Sequence, residues 1–442
     1  MNPDPTRRVF IQRTAKTAAM LSAASTMGAV HGLAADKPAT IRLGLIGCGG
    51  IMGHHIKGLV GRREAVAIAW LCDVDPAQID KAARLIDGFQ SAPPKRTSRF
   101  EDVLDDKDVD ACVIATPHHW HAPIALLAMK QGKDLYIEKP ISHVYDEGPK
   151  IIAAATKYGR VVQQGSQMRS SPVTEKAGRL LKDGIIGEVK IARAWTAEPR
   201  SVLKPVSDGI PPVGVDYDRW LGPAPKQAFN PHRFHGTWRI FRDYGNGEIG
   251  DDGIHDIDMA VWGLGVETLP KQITARGGRM VLHGHDGDYP DNLNVTYEYP
   301  DGRLLIYENY PFAPYGLHGF DDGNVFYGTK GYMEFSRRGA FRVFLGPESK
   351  PGPTEGEAIH GQTGYAEHMA NFLDAVRNRT PTRASPEVAH LSCALVHLGE
   401  IAYRTRGRLD FDPETGRFAD CEEANLLLDK SYRGPYELPD VS

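Results

Sequence analysis

The sequence predicts an α/β protein in two parts: an N-terminal doubly wound parallel sheet, and a C-terminal α+β part with a large, mostly antiparallel open sheet. Three observations carry this reading. From residue 39 to residue 164, short aliphatic and β-branched runs alternate with helix-length segments, the rhythm of successive strand–helix–strand units. A glycine cluster stands between the first run and the first helix. After residue 164 the rhythm changes to period-two runs separated by tight-turn residues, the pattern of antiparallel pairs.

Each element of the first part has a local reason. Residues 41–46 are an aliphatic run suited to burial on both faces of a parallel sheet. Residues 65–72 form the next strand, which ends at Asp73, and Asp75-Pro76 then opens a helix with a capping carboxylate and a fixed φ. Residues 110–115 read as a strand ending in Thr116-Pro117, and residues 120–131 as a helix stopped by Gly132. Residues 135–138 are a strand, 147–158 a helix and 160–164 a last strand. In the second part, residues 175–182 and 254–263 read as helices. Residues 292–298 and 303–309 are strands joined through Pro300-Asp301-Gly302, and residues 324–328 and 332–336 flank Thr329-Lys330-Gly331. Residues 367–377 and 386–404 return to helix, and the tail from 410 to 442 reads as irregular.

Composition narrows the functional classes. The chain has 442 residues, enough for more than one domain. Its 52 Lys and Arg stand against 56 Asp and Glu, a net charge of -4, so there is no basic field for nucleic acid. Five cysteines, an odd number without a CxxC pair, read as buried thiols and not as a disulfide framework or a zinc site. Thr6-Arg7-Arg8-Val9-Phe10-Ile11-Gln12 precedes a mild Ala-rich stretch, the layout of a twin-arginine export signal over residues 1–35. Ser, Thr and Gly interrupt that stretch too often for a membrane span. The expectation is therefore a periplasmic or otherwise exported protein with no membrane span after processing. Residues 36–164 would form the first domain after that leader, and 165–442 the second.

The glycine cluster points to a cofactor. Gly47-Cys48-Gly49-Gly50-Ile51-Met52-Gly53 follows the first strand and opens the first helix, the context of a dinucleotide-binding loop in a Rossmann sheet. Gly47 allows the tight turn, and Gly49 lets the backbone approach a pyrophosphate seated on the helix N-terminus. Met52 occupies the third position of the pattern, with Gly53 one residue late, so the match is imperfect. Asp73, ending the second strand, would bind the ribose hydroxyls of NAD and repel the extra phosphate of NADP.

The strand at 135–138 ends on Glu138-Lys139-Pro140. The carboxyl ends of parallel strands face the ligand in such sheets, and a lysine there can give or take a proton. Pro140, free to be cis, would aim it. The local alternative is a surface ion pair.

Together, Gly47-Cys48-Gly49-Gly50, Thr116-Pro117-His118-His119-Trp120-His121 and Glu138-Lys139-Pro140 resemble the glucose–fructose oxidoreductase / inositol dehydrogenase (Gfo/Idh/MocA) family, over essentially the whole chain after the leader. Gln164-Gly165-Ser166-Gln167-Met168-Arg169-Ser170-Ser171, Trp220-Leu221-Gly222-Pro223-Ala224-Pro225 and Glu423-Ala424-Asn425 resemble an exported subgroup with twin-arginine signals. The resemblance implies a partner motif, Asp-x-Gly-x-His-x-x-Asp, which Asp251-Asp252-Gly253-Ile254-His255-Asp256-Ile257-Asp258 matches. If that stretch is helical, Asp251 and His255 share a face. By resemblance, Lys139, Asp251 and His255 carry the chemistry. Gly47, Gly49, Gly50, Ile51, Met52, Asp73, Thr116, Pro117, His118, His121, Glu138 and Lys139 surround the cofactor. Arg169, Trp238, Arg239 and Tyr244 join Asp251 and His255 around the substrate. The implied activity is NAD(P)-dependent oxidation of a sugar, glycoside or polyol. The alternative is a glycosidase that oxidises its sugar transiently and restores it. The implied assembly is a homodimer or homotetramer. The family needs no metal, and His118, His119 and His121 lack a further ligand to make one. His54 and His55 read as packing and surface residues.

Overall fold

The computed structural model describes residues 40–313, 315–357 and 363–440; the export signal expected at 1–35 lies outside the described residues. Six strands, β1 (Ile41–Ile46), β2 (Val66–Cys72), β3 (Lys95–Thr97), β4 (Ala111–Ile114), β5 (Asp134–Ile137) and β6 (Val162–Gln164), form a parallel sheet in the order β3-β2-β1-β4-β5-β6. The order reverses between β1 and β4, which opens a crevice at their carboxyl ends. Helices α1 (Gly50–Val60), α2 (Pro76–Ile86), α3 (Phe100–Asp105), α4 (His121–Lys130) and α5 (Glu147–Tyr158) make the crossovers. β3 and α3 had no counterpart in the sequence reading: β3 is three residues, Lys-Arg-Thr, with no apolar period to mark it. A short 3-10 turn over His118–Trp120 precedes α4.

The second sheet has ten strands in the order β14-β13-β12-β11-β7-β10-β9-β8-β15-β16. In chain order they are β7 (Val189–Thr196), β8 (Gln272–Gly278), β9 (Asn292–Glu298), β10 (Leu304–Asn309), β11 (Asp322–Gly328), β12 (Gly331–Ser336), β13 (Ala340–Leu345), β14 (Lys350–Glu355), β15 (Arg408–Asp412) and β16 (Arg417–Phe418). β7 and β10 pair in parallel, and every other neighbouring pair is antiparallel. β15 and β16 correct the expectation of an irregular tail: Phe411 faces Phe418 across a tight hairpin, and Leu409, Phe411, Phe418 and Leu428 are all buried.

Helices α6 (Pro172–Lys182), α7 (Tyr217–Leu221), α8 (Gly247–Asp251), α9 (Gly253–Leu264), α10 (Tyr365–Asn378), α11 (Pro386–Arg404) and α12 (Glu422–Leu426) complete the chain. α9 lies on β7 and β11 with α11 beside it, closing one core. α10 instead crosses back to the first sheet. Its Met369, Phe372, Leu373 and Val376 share a buried cluster with Leu43, Leu45, Ile56 and Leu59. The late helix thereby carries Tyr365 and His368 to the carboxyl end of β5.

Candidate active site

The loop after β1 is shaped by what its glycines lack. Gly47 has φ +84, and a Cβ on it would stand 2.6 Å from the Ala115 carbonyl oxygen. The Gly47 N–H donates to Cys72 O at 2.8 Å, tying the turn to β2. Gly49 and Gly50 face the opposite circumstance: a Cβ on either would meet nothing within 4 Å. Gly49 caps α1 with no side-chain hydrogen bond, and no acidic residue occupies its first turn. These amides therefore face open space with the positive end of the helix dipole behind them. That space is a cavity of about 640 Å³, also lined by Ile51, Asp73, Thr116, Pro117, Trp238 and Arg239. The Asp73 carboxylate accepts from Cys48 N at 2.6 Å and from Asp75 N at 2.9 Å. Each oxygen keeps lone-pair capacity for a further donor. Burial pushes the Asp73 carboxyl up to about 6, against the lowering effect of those two N–H groups. A dinucleotide fits this donor set: bare amides for a pyrophosphate and a carboxylate for ribose hydroxyls.

A smaller chamber of about 100 Å³ adjoins this cavity and shares Ile51, Ala115, Thr116, Trp238 and Arg239 with it. Its floor is the end of β5, where the Lys139–Pro140 peptide is cis. Lys139 Nζ donates to the Asp251 carbonyl at 2.6 Å and to Asp251 Oδ1 at 2.8 Å. Arg239 Nε donates to the same Oδ1 at 3.0 Å, its guanidinium lying over the Trp238 ring. Burial raises the proton affinity of Asp251, but Lys139 and Arg239 outweigh it and hold the carboxyl well below its ordinary range. His255 lines the chamber at 2 % exposure, and its Nε2 has no hydrogen-bond partner among the described residues. Burial first, then the Lys139 and Arg337 cations, drives the imidazole well below its usual range, so the ring is neutral. A neutral imidazole with an unpartnered nitrogen, beside a lysine anchored by a carboxylate, is equipped to take and return a hydroxyl proton.

The segment that supplies Asp251 and His255 is not one helix. α8 ends at Asp251, α9 begins at Gly253, and Asp252 stands between them. A Cβ on Gly253 would lie 2.3 Å from Tyr307 Oη, so the α9 terminus sits directly on the sheet. The remaining acids of the segment turn away from the chamber. Asp252 meets Arg200, Asp256 lies 3.6 Å from the fully buried Arg337, and Asp258 receives Arg169.

Several expected contacts fall elsewhere. Met52 is fully buried with Ile56 and Leu59 and does not line the cavity; α1 turns it into the core. His121 has no exposure and lies 2.7 Å from Pro140 O and 2.9 Å from Thr116 O, so it ties the two loops together from behind. Arg169 is committed to Asp258 at 2.7 and 2.8 Å and lies against Trp262, away from the chamber. Tyr244 is fully buried in an aromatic cluster with Trp220 and Phe234. These four support the site without lining it. His118 does line the chamber, with Nδ1 2.9 Å from Asn246 Oδ1 and its ring edge-on to Trp238. Burial keeps it neutral, reinforced by His121.

Glu138 lines the chamber and is held by His55, whose Nε2 lies 2.7 Å from Oε1. Burial raises the Glu138 carboxyl, but His55 and Lys139 together bring it below its ordinary range. His54 is exposed and His55 is 3 % exposed between Tyr136 and Tyr365, which fits the reading of the pair as packing and surface residues. The contact with Glu138 is what that reading lacks; the signal for the burial of His55 is its place on the buried stripe of α1.

The model of an oxidoreductase family's NAD-binding Rossmann fold (Gfo/Idh/MocA) matches residues 41–166, and the model of that family's C-terminal alpha/beta domain matches 194–438. Inositol 2-dehydrogenase of Rhizobium meliloti is 28% identical over 342 residues, 76% of this chain and 89% of that protein. A glycosyl hydrolase family 109 protein of Saccharopolyspora erythraea is 32% identical over 177 residues, 39% of this chain and 38% of that protein. The solved structure of levoglucosan dehydrogenase with NADH and levoglucosan superposes with a TM-score of 0.65 at 20% identity, covering 84% of this chain and 99% of that one.

Proposed function

Because the chain belongs to the Gfo/Idh/MocA oxidoreductase family, with its NAD-binding Rossmann domain, we propose that it oxidises a secondary hydroxyl of a sugar, glycoside or polyol. The observation that supports this most is the meeting of Lys139, from the end of β5, with Asp251 and His255, from the second sheet's helices, in a chamber that adjoins the dinucleotide cavity. Relatives named for inositol and levoglucosan support the substrate class.

NAD, when bound, supplies the hydride acceptor. The chain's own residues do the rest. Gly49 and Gly50 leave the α1 amides open to a pyrophosphate, and Asp73 would take the ribose hydroxyls and disfavour NADP by like charge. Asp251 Oδ1 fixes Lys139 Nζ at the chamber floor. The substrate hydroxyl then lies between Nζ and His255 Nε2, and the neutral imidazole accepts its proton as the carbonyl forms. Trp238 and His118 wall the chamber against water.

The test is direct. The purified protein should carry NAD(H), seen by mass after denaturation, or bind it on addition. A panel of sugars and polyols should change its absorbance near 340 nm. Absence of any bound or bindable nicotinamide nucleotide overturns the reading. The likeness to a family 109 glycosyl hydrolase keeps a second reading in view: transient oxidation, elimination and re-reduction. Chromogenic glycosides hydrolysed at catalytic NAD, with no net reduction, would select it.

We further propose export by the twin-arginine route, on the strength of Arg7-Arg8 and the Ala-rich stretch after it. Cell fractionation with Arg7-Arg8 replaced by Lys-Lys tests this, the expected result being retention in the cytoplasm. A homodimer or homotetramer is proposed from the family alone, and light scattering on the purified protein decides it.

A further inference from the structure

Beyond the Arg239–Asp251 pair lies a second cavity, of about 300 Å³. Arg239 and Asp251 line both it and the catalytic chamber, so one ion pair forms the partition between them. The chamber, at about 100 Å³, is about a third the size of the second cavity and has room for a reacting CH–OH and its immediate neighbours. A larger substrate must continue somewhere. On one side the chamber meets the dinucleotide cavity, which a bound dinucleotide would occupy. On the other, the second cavity begins behind Arg239, the more exposed member of the partition, whose side chain must swing aside for one ligand to span both spaces.

That cavity has the two-sided character a sugar ring requires. Leu203, Ile240 and Leu282 give it apolar walls, matching the C–H faces of a pyranose. Arg279 lines it with a guanidinium for hydroxyls, and Glu248, whose two oxygens accept from Arg200 at 3.1 and 2.7 Å, keeps lone-pair capacity for one more donor. Asn309, the last residue of β10, lines it at 3 % exposure, and its Oδ1 is buried with no hydrogen-bond partner among the described residues. An unsatisfied buried amide oxygen is costly, and a ligand hydroxyl would satisfy it. The cavity is built and not incidental. The Leu203 N–H donates to His285 Nδ1 at 2.9 Å, the Asp286 N–H to Leu203 O at 2.8 Å, and the Arg200 N–H to Pro311 O at 2.8 Å, so three loops are laced into one wall. Arg279 in turn donates to His285 O at 2.6 Å.

We infer that this cavity seats a second sugar unit, so that the substrate is a disaccharide or similar glycoside and not a free monosaccharide. The inference rests on the proposed oxidoreductase reading and adds the substrate's size and the residues that measure it. Arg239 marks the junction between the ring being oxidised and the ring being held.

The experiment compares glucose, galactose and inositol with cellobiose, maltose, lactose and trehalose, and with aryl glucosides, on the NAD-loaded protein. Each is followed by nicotinamide absorbance, by sugar product and by calorimetric binding. Two variants shape the cavity, Leu282→Trp to fill it and Arg279→Ala to strip a donor from its exposed rim. A disaccharide should be preferred at least tenfold in kcat/KM. Leu282→Trp should lower that value at least thirtyfold, chiefly through KM, while turnover of monosaccharides stays within twofold. Arg279→Ala should do the same more weakly, which covers the case of Leu282→Trp failing to fold. Equal preference for monosaccharides, or equal loss on both substrate types, overturns the subsite. Preference for aryl glucosides alone overturns the second sugar in favour of an apolar aglycone. Disaccharide binding that Leu282→Trp or Arg279→Ala weakens, with no absorbance change for any sugar, sustains the subsite and overturns the oxidoreductase reading. Binding of no disaccharide overturns the subsite whatever the redox result.

Discussion

Residues 47–53 make their cavity by carrying few side chains, whereas residues 251–258 make their chamber by carrying a charge or an imidazole at most positions. Both are turns into a helix, after β1 and between α8 and α9, and both sit where the chain changes direction over a ligand space. The glycine loop works through backbone geometry: a positive φ at Gly47, open space at Gly49 and Gly50, and uncapped amides. It needs little from the rest of the molecule. The second segment works through partners. Asp251 is defined by Lys139 and Arg239, Asp252 by Arg200, Asp256 by Arg337 and Asp258 by Arg169, all distant in sequence. A site of the first kind holds a group common to many enzymes. One of the second kind sets what is done to it, and it tolerates change less evenly.

The sharpest way to break this contrast is at Lys139, where the two kinds of site touch. Lys139→Ala removes the donor anchored on Asp251 and leaves every glycine-loop contact in place. Turnover should fall about 10³-fold, the upper range for loss of one positioned hydrogen-bond donor, while NAD affinity stays within threefold. Stopped assays with calorimetric binding of NAD check both halves. Parallel loss of cofactor binding would show that the two regions are not separable.

Arg169 tests whether a partner-defined acid matters for stability or for substrate. Its bidentate contact with the buried Asp258 is away from the chamber. Arg169→Met should leave that carboxylate without its cation and cost about 3 kcal/mol of stability. Urea denaturation measures the loss. KM for the best substrate should hold within twofold, against the sequence-based placement of Arg169 in the substrate site.

The two regions also differ in how far they could be read without the fold. The glycine loop was legible because its requirements are local: a strand before, a helix after, and small residues between. The Asp251 segment was legible only through likeness to a family, since nothing in eight residues says which acid faces the chamber. Arg169 was misplaced for that reason, and Tyr244 likewise, because proximity in sequence to a sugar-binding segment says nothing about the aromatic cluster that buries it. The contact of His55 with Glu138 is not legible locally, because the two lie 83 residues apart and only the sheet brings them together. The short strand β3 and the hairpin of β15 and β16 escaped because they are too short for a periodic signal, and their pairing is set by the sheet edges they join.

Asp73 sharpens the contrast on the cofactor side, because it is a charged side chain beside a loop that otherwise works through its backbone. Its carboxyl is pushed up to about 6 by burial, so it is ionised above that value and protonated below it. Only the ionised form accepts from both ribose hydroxyls with full strength. NAD binding should therefore weaken as pH falls through about 6. The same raised value makes Asp73 cost folding stability as pH rises between the ordinary carboxylate range and 6, the reverse of Glu138, whose lowered value contributes stability that is lost only as pH falls through it. Asp73→Asn should weaken NAD about tenfold at pH 7.5 and abolish the acid step in the binding curve. A fluorescence titration of NAD between pH 5 and 8 separates the two effects.

Met52 marks where the two kinds of reading conflict, and the smallest effect is expected there. The sequence-based site assigns Met52 to the cofactor, but Met52, Ile56 and Leu59 recur at the spacing of one helix face, and that face is buried. Periodicity was the stronger signal, because a side chain on α1 is aimed by the helix and not by its place in a motif. Met52→Leu keeps volume and apolar character, so it should change stability by less than about 1.5 kcal/mol and leave NAD affinity within twofold. Met52→Gln should instead lower the denaturation midpoint by burying an amide with no acceptor nearby, again with NAD affinity preserved in the folded fraction. An altered cofactor affinity in the volume-matched variant would return Met52 to the nucleotide site and blur the division between the backbone-built and partner-built halves.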